Sequence, residues 1–368
     1  MHIRSSDVLL TRTDILSPLQ HALDDVPTQL REWGTDRVFP LPPPYDGERT
    51  IGASPSAWLA VQDAQGFVSR IHARVRHARG RWVIRDAGSK NGLWIDGERH
   101  EEAELVPGAE VGLGLVRLVV ETPRWVRARA LLARWLGWDQ EAMALVDRAL
   151  RSVRWFLARR WALLLIGDGD VVALARRLHD ETIGRDRPFV TSDPQRRAAE
   201  AGTRHVTNHP TFADALRAGM GGTICVWADR LPPDFMRSIR LRLDAPMMSS
   251  RVVVCARSVD ELRVLPGAVI EVPSLATRSR DLGRLIDEYA MDAIAQLGAK
   301  PASYTPADHA WLLACAPTSH AEIERATLRF VALREFGGVT AAAERLGITH
   351  AAVSRWLTRR GPRWRRGK

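Results

Sequence analysis

The chain has 368 residues, 45% of them apolar and 26% charged, with a formal net charge of +10 at pH 7. That length allows two or three domains, each with its own core, and the composition is that of ordinary soluble globular protein. No uncharged apolar run approaches the roughly 18 residues a membrane span needs, and Met1–Asp14 lacks the long apolar core of a signal peptide, so neither is expected and a cytoplasmic location is.

The positive charge favours a polyanionic partner, nucleic acid or an anionic membrane surface. Arginine supplies nearly all of it. A planar guanidinium suits phosphate contacts, although a general arginine-for-lysine bias of the source explains the skew equally well. The cysteines, Cys225, Cys255 and Cys315, are far apart and form no CxxC, and the first two sit in apolar runs. Buried reduced thiols are expected, and no structural zinc.

In chain order, residues 1–34 are weakly patterned and are taken as an N-terminal extension. A proline cluster, Pro40 and Pro42–Pro44, precedes a change of texture. From Arg49 to Glu121 short apolar stretches alternate with glycine-bearing turns, which predicts an all-β sandwich over 35–123. Two of its turns are distinctive: Val68-Ser69-Arg70-Ile71-His72-Ala73 and Asp86-Ala87-Gly88-Ser89-Lys90-Asn91-Gly92. With Ile51-Gly52 before them and Leu105-Val106-Pro107-Gly108 after, the stretch resembles a forkhead-associated (FHA) domain.

That resemblance implies a site for a phosphothreonine peptide between the turns. Carried over, Ser69, Arg70 and Asn91 are present, and His72 is expected to brace its turn rather than touch ligand. Two positions depart: Ala53 stands where the family has arginine, and Lys90 where it has threonine. Lys90 offers a flexible point cation in partial compensation. Phosphopeptide binding and a phosphate-independent protein contact on the same sandwich both remain open.

Residues 124–160 show helical periodicity and read as a helical linker. Trp125, Leu131, Leu132, Trp135 and Trp138 line one expected face; Ala142, Leu145, Val146, Ala149, Val153, Phe156 and Leu157 line the next. Over 161–300 the pattern becomes α/β, with Ala162–Ile166, Thr223–Trp227, Val252–Cys255 and Val269–Val272 predicted as buried parallel strands. Leu164-Leu165-Ile166-Gly167, Ala175-Arg176-Arg177-Leu178-His179, Arg187-Pro188-Phe189-Val190, Gly221-Gly222-Thr223-Ile224 and Val272-Pro273-Ser274-Leu275 follow one another in the order of the AAA+ domain of sigma-54-dependent activators, which this region resembles.

The catalytic parts implied by that resemblance are missing. The phosphate loop would be Gly167-Asp168-Gly169-Asp170-Val171-Val172, which has no lysine and offers two carboxylates to a triphosphate they would repel. Trp227 and Ala228 stand where the family has adjacent Asp and Glu. Ala321 stands where it has a sensor arginine, and the sigma-54-contacting loop is absent. No ATPase activity, no cofactor and no metal are expected; the middle domain is read as a scaffold or oligomerisation surface.

Over 301–368 a helical region ends in a candidate helix-turn-helix and a basic tail. Gly347 is the expected turn, Ala343 the small residue that lets the helices approach, and Ala342, Leu346, Ile348, Val353 and Trp356 the apolar filling. Thr340 and Thr349 are expected N-caps. The stretch resembles the DNA-binding end of Fis-like and sigma-54-dependent activator families. That implies a second helix entering the major groove with Thr349, His350, Ser354 and Arg355 near the bases and Arg359 and Arg360 on phosphates.

The sequence thus reads as a multidomain chain: an FHA sandwich, then a degenerate AAA+-like α/β domain, then an all-α helix-turn-helix domain. It predicts a transcriptional regulator whose partners are double-stranded DNA and a protein, threonine-phosphorylated by a Ser/Thr kinase or unmodified. Homo-oligomers are compatible with it and a membrane partner is not expected. The alternative is a phosphoprotein-binding adaptor that does not bind DNA specifically.

Overall fold

The computed structural model describes residues 26–41, 47–159, 161–167, 171–195, 206–231, 239–241, 243, 249–262, 265 and 267–359. The first strands are β1 (Gln29–Glu32), β2 (Val38–Pro40), β3 (Glu48–Gly52), β4 (Leu59–Ala60), β5 (Ala73–Ala78), β6 (Arg81–Asp86), β7 (Leu93–Ile95), β8 (Glu98–His100), β9 (Glu102–Glu104), β10 (Glu110–Leu113) and β11 (Val116–Glu121). They form two sheets, β2-β1-β11-β10-β7-β8 and β4-β3-β5-β6-β9. Alternation sends one face of each sheet into a common core: Leu30, Leu93, Val111 and Leu118 from the first, Ile51, Val75, Trp82 and Ile84 from the second. Each such side chain removed from water is worth ~1.5–3 kcal/mol, so the expected sandwich is what these residues build.

The sandwich starts earlier than its expected boundary at 35. Gln29–Glu32, inside the segment assigned to an N-terminal extension, pairs antiparallel with both β11 and β2. The strand escaped the pattern because only Leu30 faces the apolar core, while Arg31 is buried on its opposite face. Arg31 donates to Glu121 at 2.7 Å and in a fork to both carboxylate oxygens of Asp147, and all three side chains are about 1% exposed or less. Burial alone would pull the guanidinium pKa down, but the hydrogen bonds and charges of Asp147 and Glu121 outweigh it and hold it above its ordinary value.

Asp147 belongs to the second of two helices, α1 (Pro123–Leu136) and α2 (Gln140–Ala158). Thr122 and Asp139 cap them, accepting from the amides of Trp125 and Ala142. Of the expected apolar faces, Trp125, Leu132, Trp135, Val146, Val153, Phe156 and Leu157 are buried. Leu145 is not: it is 40% exposed, because the face turned inward carries Asp147 instead. The same helix meets the sandwich through Arg151 on Glu110 and Arg154 on Asp96.

A six-stranded parallel sheet follows, with β12 (Ala162–Ile166), β13 (Phe189–Ser192), β14 (Thr207–Asn208), β15 (Thr223–Trp227), β16 (Arg251–Ala256) and β17 (Gly267–Glu271) in the order β14-β13-β15-β16-β12-β17. Among the described residues, α-helices α3 (Val171–Thr182) and α4 (Phe212–Ala218) lie between the strands. β12 and β15 are buried on both faces, which accounts for their unbroken apolar runs. β17 was expected buried as well; it is an edge strand with alternating burial, and Val269 is 38% exposed. His179 lies under the sheet, its Nε2 donating to Arg187 O at 3.0 Å and its Nδ1 accepting from the Thr223 hydroxyl at 2.8 Å. Burial lowers its pKa.

The chain divides into two compact units, and the elements from Pro273 onward belong to the second. Its helices are α5 (Leu282–Leu297), α6 (Pro306–Ala314), α7 (His320–Glu335), α8 (Val339–Arg345) and α9 (His350–Arg359). One apolar cluster joins α5, α7, α8 and α9 through Ala293, Leu297, Val331, Leu333, Ala342, Ala343 and Val353, with Leu346, Ile348 and Trp356 half-buried against it. Among the described residues no helix is long and apolar enough to cross a membrane.

Candidate functional site

The site begins at a glycine. A methyl group on Gly52, at the end of β3, would lie 2.3 Å from the Arg70 carbonyl oxygen and 2.7 Å from that of Ser69. Only glycine lets the two turns meet so closely. Hydrogen bonds sew them together: Ala53 N–H to Ser69 O at 3.0 Å, Ser54 N–H to Arg70 O at 3.1 Å, and His72 N–H to Ile51 O at 2.8 Å.

His72 is fully buried and braces both turns. Its Nδ1 accepts from Ser69 N–H at 3.1 Å, so its Nε2 carries the proton and donates to Gly92 O at 3.0 Å. The Ser69 hydroxyl accepts from Lys90 N–H at 3.1 Å, which leaves its own proton free for a ligand. Asn91 Nδ2 donates to Phe67 O at 2.7 Å, and Trp94 Nε1 donates to Asn91 O at 2.9 Å. Ser69, Lys90 and Asn91 are thus brought together. Arg70 and Lys90 extend outward and are exposed, and Ala53, where arginine was absent, is half-buried against the core.

Two residues that shape the second turn were not singled out from the sequence. Asp86 accepts from the amides of Gly88 and Ser89 at 3.0 and 3.1 Å, and the Ser89 hydroxyl donates to it at 2.5 Å while accepting from Gly92 N–H at 2.9 Å. The Asp-x-Gly-Ser spacing is the signal that could have found them, since Asp and Ser side chains fold back on turns of this kind. Before the first turn, Asp63 accepts from Val68 N–H at 2.5 Å, and that bond leads the contacts that hold its carboxyl below the usual range.

Residues 49–114 match the family model of the FHA domain. This sandwich carries an FHA domain. An oxoglutarate dehydrogenase inhibitor of Corynebacterium diphtheriae is 37% identical over 76 residues, which are 20% of this chain; the chain spans about half, 52%, of that relative's length. Among solved structures, one of phosphothreonine-dependent FHA domain interactions is 24% identical and covers 26% of this chain and 94% of its own, with a TM-score of 0.23. EmbR of Mycobacterium tuberculosis, in complex with a low-affinity phosphopeptide, is 22% identical and covers 26% of this chain and 24% of its own, with a TM-score of 0.24. In the FHA domain of this chain, the residues just described form the turn cluster at one end of the sandwich.

The second candidate region is the helix pair at the end of the described chain. Gly347 has φ +62°, Gly347 N–H donates to Glu344 O at 3.1 Å and Ile348 N–H to Ala343 O at 3.0 Å. These are the paired bonds of a Schellman turn. Thr349 caps α9, its hydroxyl accepting from Ala352 N–H at 3.2 Å. Thr340 does not cap α8: the helix begins one residue earlier, behind Gly338, and Thr340 is inside it and exposed. Thr349, His350 and Arg355 are exposed and Ser354 is half-buried. Trp356 is edge-on to Phe330 at 5.2 Å and to Trp311 at 6.2 Å, a packing role. The Arg359 side chain and the whole of Arg360 and the basic tail lie outside the described residues.

In the parallel sheet, β15 ends on buried Trp227, with the Arg230 guanidinium 4.9 Å above its ring and donating to Asp193 at 2.5 Å. Asp229 faces Arg257 at 3.9 Å, and Ala321 is buried in α7. Asp168 and Asp170 lie outside the described residues. The Cys225 and Cys255 sulfurs are buried free thiols 3.6 Å apart, Cys315 is exposed, and no group of metal-ligating side chains occurs among the described residues.

Proposed function

We propose that this chain is a DNA-binding transcriptional regulator whose FHA domain recognises a threonine-phosphorylated protein partner. The observation that carries the reading is the braced pair of turns: buried His72 holds both, the Ser69 hydroxyl accepts from the Lys90 amide, and exposed Arg70 pairs with no carboxylate among the described residues. A hydroxyl proton on one turn and an exposed cation on each suit a phosphate dianion, because charge-assisted hydrogen bonds are the strong kind. The phosphothreonine named for one FHA structure above is the ligand chemistry this arrangement fits.

The DNA half of the proposal rests on the Schellman turn at Gly347 and the capped helix behind it, with Thr349, His350 and Arg355 exposed on its N-terminal turns. A second helix that offers its N-terminal residues to solvent is the arrangement that reads base edges in the major groove. The middle domain is proposed as a scaffold without ATPase activity. Its parallel sheet, with the first strand β12 held between β16 and β17, supports the AAA+-like reading, while Trp227 and Ala228 replace the acidic pair that metal and water would need.

The adaptor alternative has one observation in its favour. Ser354 is half-buried and Thr358 donates back to its carbonyl at 3.0 Å, so α9 offers fewer polar side chains than the sequence suggested. A phosphopeptide-library screen with the full chain tests the recognition half. Selection of phosphothreonine peptides over their unphosphorylated twins is expected, with Arg70→Ala abolishing the preference; equal binding of both would reject it.

A further inference from the structure

We propose that Arg99 is a phosphate-binding residue of this FHA domain, supplying from β8 the guanidinium that Ala53 lacks. The inference rests on the phosphothreonine reading given above. Arg99 is exposed and pairs across the β7–β8 hairpin with Trp94. Its side chain lies back over the glycine that follows Asn91: a methyl group on Gly92 would sit 2.6 Å from Arg99 Nε, 3.1 Å from Cζ and 3.2 Å from Nη2. Gly92 has φ +74°, and its carbonyl is committed to the buried His72 ring, so the face of the residue without a side chain is the one the guanidinium covers. The same turn offers the Lys90 amide to the Ser69 hydroxyl.

The charge pattern points the same way. Arg37, Arg74, Arg76, Arg81 and Arg85 of this sandwich each face a glutamate. The side chains of Arg70, Lys90 and Arg99, like that of Arg79 on the β5–β6 turn, have no hydrogen-bond or ion-pair partner among the described residues, and the first three belong to the two turns or the strand beside them. Cations gathered without counter-charge repel one another, and a dianion held among them reverses the sign of that interaction. Arginine also brings a planar fork that can grip two phosphate oxygens at once, which Lys90 cannot.

The test uses the full chain, a phosphothreonine peptide selected from a library, and its unphosphorylated twin, with affinities read by fluorescence anisotropy. Arg99→Ala is expected to weaken the phosphopeptide by about ten-fold or more, the worth of one charge-assisted contact, and to leave the twin unchanged. Arg99→Lys should recover part of the loss, and Ala53→Arg in the Arg99→Ala background should recover most of it. Arg79→Ala, which removes an equal charge from the exposed β5–β6 turn of the same sandwich, should change affinity by less than about two-fold, as screened distant charges do. Unchanged phosphopeptide binding by Arg99→Ala, or an equal loss in Arg79→Ala, overturns the assignment of Arg99 while leaving phosphothreonine recognition standing. A parent chain that does not distinguish the phosphopeptide from its twin overturns both.

Discussion

Gly52→Ala is the most exacting perturbation of the proposed recognition site. The added methyl would lie 2.3 Å from the Arg70 carbonyl oxygen, and every near neighbour is backbone, so no flexible side chain can yield. Ordinary contact requires the 69–72 segment to retreat by roughly 1 Å, which breaks two of the hydrogen bonds that join it to Ile51, Ala53 and Ser54. At ~0.5–1.5 kcal/mol each, with ~1–3 kcal/mol for overpacking, the loss comes to ~2–6 kcal/mol. Amide hydrogen exchange reads this locally, without requiring the whole chain to unfold in one step. The Ala53, Ser54 and His72 amides should lose at least about thirty-fold in protection, and phosphopeptide affinity should fall with them. Protection within about three-fold of the parent would refute the claim that backbone approach, rather than side-chain chemistry, sets this site.

Asp147→Ala leaves the Arg31 guanidinium buried against a single carboxylate, Glu121, and should destabilise the first unit by ~3–5 kcal/mol in chemical denaturation. His179 is held neutral by burial, with a pKa below the ordinary histidine value of about 6.5. Between that value and the lower folded one the unfolded chain takes up a proton the folded chain refuses, so stability should fall as pH falls through that window. His179→Gln should flatten the dependence; a stability that rises on acidification would contradict the buried assignment. ATP with Mg²⁺ should leave the melting temperature unchanged, since a ligand that binds the native state must raise it.

The two turns of the FHA domain were legible because their chemistry is compressed into few residues. A glycine that must admit another backbone, a histidine three residues after a serine, and an asparagine before a left-handed glycine each leave a mark in the sequence. The short strands were not. β8 is Glu98-Arg99-His100 and β9 is Glu102-Ala103-Glu104, three residues each with no apolar alternation to find. β13 ends in Thr191 and Ser192, buried but polar, which hid an interior strand. Arg31, Glu121 and Asp147 would be read as solvated charges in any sequence, because pairing across about ninety and more residues leaves no local trace. Thr340 was a reasonable cap by type, but Gly338 had already turned the chain. Arg99 left no mark for the same reason as Asp147: its side chain meets Gly92 from the next strand, a placement the sequence does not display.

The central claim is that recognition at the FHA domain belongs to a protein that acts on DNA. Genome-wide occupancy of the tagged full chain tests it most directly. The account predicts sharp, sequence-defined peaks that blur in Arg355→Ala, because an arginine at a base edge carries ~1–3 kcal/mol of discrimination. Occupancy with no sharp peaks would contradict it.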